Sequence, residues 1–175
     1  MARSRLVLLL IVNVFTCLSP ARGDDSRIHV AMLEKSAATF YVSGAIDGYG
    51  PVELMVDTGS GYMTINERTL DVLKRTGAAR YLKPLIGVLA DGSELVVPVY
   101  MISRMSIGDH CWLTDVEAAV FPGSARQILG LSALRKVAPF VFSVDPPGLM
   151  LSRCGEMPVG GVGSAPLAPV VTAVN

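Results

Sequence analysis

Val52-Glu53-Leu54-Met55-Val56 is an apolar run that stops at Asp57-Thr58-Gly59-Ser60, and a second apolar run, Tyr62-Met63-Thr64-Ile65, follows at once. A carboxylate at the mouth of a strand is costly to bury unless it has a task. The fold must therefore bring two strands together at a turn that presents Asp57.

The rest of the chain reads as short strands separated by turn signals. Ile28, Val30 and Met32 alternate with more polar neighbours, and Thr39 to Ser43 pairs with Val52 to Val56 through Asp47-Gly48-Tyr49-Gly50-Pro51. After Ile65 the period changes: Asn66 can cap, Glu67 sits in the first turn, Leu70 and Leu73 share a face, and Gly77 can close one short helix. Leu85 to Leu89 and Glu94 to Tyr100 flank Ala90-Asp91-Gly92-Ser93, a strong hairpin signal. Pro98 marks an edge or a bulge, because it cannot donate a ladder bond.

Met101 to Ile107 and Cys111 to Phe121 form a further hairpin around Gly108-Asp109. Arg126-Gln127-Ile128-Leu129-Gly130 is a second apolar approach to a glycine. A helical segment over Ser132 to Ala138 stops at Pro139, and Phe140 to Val144 pairs with Leu149 to Ser152. This pattern predicts an all-β chain, a small barrel or sandwich, with one or two short helices. No glycine-rich phosphate loop, Gly-x-Ser-x-Gly elbow or His-Glu-x-x-His is present.

The N-terminus has a separate character. A basic start, Arg3 and Arg5, precedes an apolar run from Leu6 to Leu18, and Ala21-Arg22-Gly23 places small residues at the cleavage positions. Residues 1–23 are expected to be a secretory signal, since about 13 apolar residues fall short of the roughly 20 a bilayer span requires. An uncleaved segment would instead anchor the chain to a membrane. Cleavage leaves 12 basic residues against 15 acidic, a balance that does not attract nucleic acid.

The expected compartment is periplasmic or secreted, hence oxidising, and there Cys111 and Cys154 can pair or remain two independent thiols. His29 and His110, the only histidines, are expected on the surface or in turns. No metal-ligand spacing is present, and no metal or organic cofactor is expected. The domain should span 24–154, followed by a disordered Gly/Pro/Ala-rich tail over 155–175.

Asp57-Thr58-Gly59-Ser60, the hairpin at Ala90-Asp91-Gly92-Ser93, and Ile128-Leu129-Gly130 before a short helix stand in the order and near the spacing of a retropepsin-like aspartic protease. The chain resembles the single-domain, exported bacterial members of that family over roughly Ala38 to Ser152. Asp-Thr-Gly alone also fits an ordinary Asx turn, so its setting between apolar strands carries the likeness. The resemblance implies a small closed β-barrel of the acid-protease type and an aspartic endopeptidase. Asp57, Thr58 and Gly59 would be catalytic: Thr58 would interlock with a partner loop and the Gly59 N–H would bond the carboxylate. Ser60 would support the outer carboxylate oxygen, and Gly130 would pack beneath the loop. The hairpin tip would be a flap over a protein or peptide substrate.

Peptide hydrolysis needs one group to take a proton from water and another to give one. Two carboxyls a few ångströms apart do both, because like charges that close do not ionise together and the pair holds one shared proton. The chain carries a single Asp-Thr-Gly, so the expected enzyme is a homodimer in which each copy supplies Asp57. Arg27 to Leu33 and Leu149 to Ser152 are the candidate dimer strands. The helix from Asn66 to Gly77 and its extension to Lys83 are longer than in minimal viral members. The alternative is a catalytically silent peptide-binding or scaffold domain of the same fold.

Overall fold

The structure is a computed structural model, and it describes residues 27–88 and 91–155. The signal segment 1–23, Ala90 and the tail beyond Gly155 lie outside the described residues. Within them the chain is mostly β: β1 (Ile28–Ala31), β2 (Leu33–Lys35), β3 (Thr39–Ile46), β4 (Gly50–Val56), β5 (Met63–Asn66), α1 (Glu67–Thr76), β6 (Ala79–Val88), β7 (Glu94–Ile107), β8 (Cys111–Phe121), β9 (Ile128–Leu129), α2 (Leu131–Leu134), β10 (Phe140–Val144) and β11 (Pro147–Leu151).

Eight strands form one sheet in the order β2-β3-β4-β9-β5-β8-β7-β6, and a further pairing of β3 with β7 closes the run from β3 to β7 into a ring. That ring of paired strands makes a small barrel. At its closure Gly44 pairs with Ile107, and a Cβ on Gly44 would run into the Ser106 carbonyl. Strands β1, β11 and β10 form a second, three-stranded sheet. The two sheets share one core, in which Leu54 and Met63 of the barrel lie with Leu149 and Leu151 of the small sheet, all fully buried.

Helix α1 forms as its termini dictate. The Asn66 side chain accepts from the Thr69 N–H at 2.9 Å, and Gly77 takes the left-handed conformation at φ 72° that closes the last turn. Leu70 and Leu73 face the core. The extension to Lys83 is β-strand: β6 starts after Gly77 and Ala78 and runs, with a register shift between Tyr81 and Lys83, to Val88.

The strand expected to end near Tyr100 continues instead to Ile107. Pairing of β7 with β8 begins only at Val99, so at Pro98 the side towards β8 carries no ladder and the missing N–H interrupts nothing. One strand thus serves both the hairpin and the barrel. Leu149 to Ser152 also differs from expectation as a dimer strand, because β11 is flanked by β1 on one side and β10 on the other. The free edges of the small sheet belong to β1 and β10. His29 and His110 are both exposed.

Candidate functional site

Asp57 stands where β4 ends, and its position is set by backbone bonds to the second apolar approach. Strand β4 runs parallel to β9, with Met55 beside Ile128 and Val56 beside Leu129. The Asp57 N–H donates to the Leu129 carbonyl at 3.2 Å, and the Leu131 N–H donates to the Ser60 carbonyl at 2.8 Å. The turn carrying the carboxylate is therefore held from both sides. Gly130 lies directly beneath: a Cβ there would collide with the Tyr62 carbonyl and sit 2.9 Å from the Ser60 carbonyl oxygen. Only glycine permits so close an approach.

Within the turn the Gly59 N–H donates to Asp57 Oδ1 at 2.8 Å. Thr58 is exposed. The Ser60 hydroxyl donates to the Tyr62 carbonyl at 2.7 Å. Ser132 closes the assembly, accepting from the Met63 N–H at 2.7 Å and donating to the Glu117 carbonyl at 2.6 Å.

A cleft of about 580 Å³ opens over the turn, between Asp57 and the first arm of the β6–β7 hairpin. Ile86 and Val88 of that arm, Tyr62 and Phe121 supply much of its wall. Gly87 lies against the Phe121 ring, where an added Cβ would be 3.5 Å from it. At the hairpin tip, Asp91 Oδ1 accepts from the Ser93 N–H at 2.9 Å and the Ser93 hydroxyl at 2.6 Å, with Gly92 at φ 82° between them. Those two bonds, the hydroxyl first, hold the Asp91 carboxyl below the ordinary carboxylate range. At the hairpin base, Lys83 is raised above its ordinary range, first by a side-chain hydrogen bond with Tyr62 and then by the Glu117 carboxylate 3.7 Å away.

Among the described residues the cleft lining carries two charged groups, Asp57 and Arg126. Arg126, an exposed cation, was not among the residues singled out in the sequence. The segment bearing it is tied to the cap of α1. Asn66 Nδ2 donates to the Ala125 carbonyl at 3.2 Å, Gln127 Nε2 donates to Thr69 Oγ1 at 3.1 Å, and the Gly123 N–H donates to Glu67 Oε2 at 2.9 Å.

Cys111 and Cys154 lie away from the cleft and are joined as a disulfide, which pins the exit of β11 to the start of β8. Gly155 adds to this join through a pair of backbone bonds with Trp112 at 3.2 and 3.0 Å.

Residues 42–136, more than half of the chain, match a family described as "gag-polyprotein putative aspartyl protease". No curated protein matches the sequence. Among solved structures, a retropepsin-like aspartic protease from Rickettsia conorii superimposes with a TM-score of 0.50 at 17% identity, covering 75% of this chain and 93% of that one. At that identity the likeness is one of fold.

Proposed function

Since the chain belongs to this gag-polyprotein aspartyl protease family, we propose that it is an aspartic endopeptidase acting as a homodimer, with one Asp57 from each copy. The observation that carries this reading is the setting of Asp57: a half-buried carboxylate, one oxygen held by the Gly59 N–H, facing an apolar cleft under a hairpin. With two such turns at a two-fold axis, the ionised carboxyl takes a proton from a water placed between them. The protonated one gives its proton to the peptide carbonyl or the leaving nitrogen. The exposed Thr58 side chains face each other across the axis. The β6–β7 hairpin lies over an extended peptide, excludes water and offers backbone groups to it.

The second copy docks along β10. Strand β3 is antiparallel to β4 with Tyr41 beside Met55, so Phe40 and Thr39 lie at the Asp57 end of the pair. The Phe142 ring of β10 stacks edge-on against Phe40 at 5.3 Å. The free edge of β10 therefore belongs to the same end of the barrel as the half-site it must help complete. Export follows from the N-terminal signal pattern and is supported by the Cys111–Cys154 bond, a type that persists in oxidising compartments.

Replacement of Asp57 by Asn should lower cleavage of a denatured protein near pH 5 by about 1,000-fold or more, with the dimer mass by light scattering and the circular dichroism unchanged. Pepstatin should block the unmodified chain. Undiminished turnover by Asp57→Asn would remove the mechanism. Peptide binding without turnover in the unmodified dimer would favour a silent scaffold.

A further inference from the structure

We propose that Arg126 makes this protease selective for peptides carrying a glutamate or aspartate within two residues of the cleaved bond, an inference that rests on the endopeptidase reading above. The cleft wall is otherwise built of apolar and uncharged groups, and its two charges are opposite in sign and different in role: Asp57 reacts, whereas Arg126 has nothing to react with. Among the described residues ion pairs involve Lys35, Lys83 and Arg104, and Arg126 is one of the cations left without a carboxylate, here the one that lines the cleft. The one polar contact of its guanidinium is weak, from Nη1 to Met55 Sδ at 3.3 Å. Four of its five N–H groups remain for a ligand.

Position fixes which part of a ligand meets it. Arg126 lines the same cleft as Asp57 and reaches Met55, two residues before Asp57 in the chain, a backbone spacing of roughly 7 Å from the catalytic turn. An extended peptide advances about 3.3 Å per residue, which places its side chain one or two residues from the scissile bond at Arg126. In a two-fold dimer the second Arg126 takes the equivalent place on the other side of that bond.

The backbone under Arg126 is held against α1 through Ala125 and against β4 through the Gln127 carbonyl, which accepts from the Met55 N–H at 3.0 Å. The charge is thus presented from a fixed base. A carboxylate side chain meets the guanidinium fork through two parallel bonds, and a lysine side chain meets like charge in an apolar surround.

The test uses the purified full chain and a peptide series of common apolar frame in which each of the two positions on either side of the bond is Glu, Gln or Lys. Glu peptides should be cleaved with kcat/KM about tenfold above Gln and further above Lys, the size of one charge-assisted bond in a half-open site. Arg126→Glu should invert the order so that Lys peptides lead. A merely structural role for Arg126 would lower all three together, and that uniform loss, or an unchanged order, overturns the proposal. The same fluorescent peptides titrated onto Asp57→Asn by anisotropy should rank in the same order, and equal binding of Glu and Lys peptides also overturns it. If the unmodified chain binds with this ranking but cleaves nothing, the acidic selectivity stands and the protease reading fails.

Discussion

Among the described residues, most of the exposed large apolar side chains stand on two elements, and the two are held in opposite ways. On the β6–β7 hairpin, Ile86, Val88 and Val96 are 61, 69 and 67% exposed; on β10, Val141 and Val144 are 48 and 60% exposed. The distal hairpin consists of two strands paired only with each other, since β8 joins β7 no earlier than Val99. Two strands without a third are marginal in water. Strand β10 is paired to β11 along its whole length, packs Phe140 on the core and lays Phe142 on Phe40. The sheet behind it is tied to β8 by the Cys111–Cys154 bond. Under the proposed function, equal exposure would serve two occupants: a weakly supported apolar arm suits a peptide that arrives and leaves, and a rigid apolar edge suits a strand that stays.

The hardest test of that contrast places like charges on the rigid edge. Val141→Lys with Val144→Lys sets cations on β10 of both copies, where antiparallel pairing would bring them together. At micromolar concentration the light-scattering mass should fall to that of one chain, and cleavage should drop by about 100-fold or more, because a lone Asp57 cannot divide the acid and base roles. Activity should return in part as protein concentration rises. An unchanged dimer mass would move the interface elsewhere, with the free edge of β1 as the remaining candidate.

The same chemistry applied to the movable arm should act differently. Ile86→Ser with Val88→Ser removes apolar surface from the cleft wall but leaves β10 untouched. The dimer mass should not change, and kcat/KM should fall about tenfold, chiefly through KM, as expected when two partly buried aliphatic contacts with substrate are lost. A change of oligomeric state in this variant would mean that the hairpin also holds the copies together, and the two regions would no longer be separable.

How legible these regions were in the sequence follows from how local their causes are. Helix α1 was readable to its caps because Asn66 and Gly77 act within one turn. Asp57, the Asp91-Gly92-Ser93 tip and the two approaches to glycine were readable because each is a short run with its own turn chemistry. Strand β7 was cut too early because Pro98 breaks a ladder only where a ladder exists, and that depends on β8, 20 residues on. Strand β11 looked like a free chain end, yet its two edges are taken by β1 and β10, a fact of sheet order that no local pattern carries. Arg126 escaped because its meaning comes from Met55, which it contacts, and from Asp57, with which it lines one cleft, both far away in sequence.

The tip of the β6–β7 hairpin offers the smallest effect and the finest discrimination between the hairpin and β10. Asp91 is ionised more readily in the folded hairpin than in an open chain, because its carboxylate accepts from the Ser93 hydroxyl and then from the Ser93 N–H. A lowered folded value means that the contribution to tip order is complete above the ordinary aspartate range, near pH 4, and is lost as pH falls through the lowered value. At the pH of about 5 used for the cleavage test, above the ordinary aspartate range, the tip is therefore still held. The Ser93 amide should lose its hydrogen-exchange protection below about pH 4, while amides of β10 and β11 keep theirs over the same steps. Asp91→Ala should abolish that pH dependence at Ser93 and leave β10 unaffected. If Ser93 keeps the same pH response without the Asp91 carboxylate, the turn is not what orders the tip, and the flap's mobility must be set lower down, where Lys83 joins Tyr62 and Glu117.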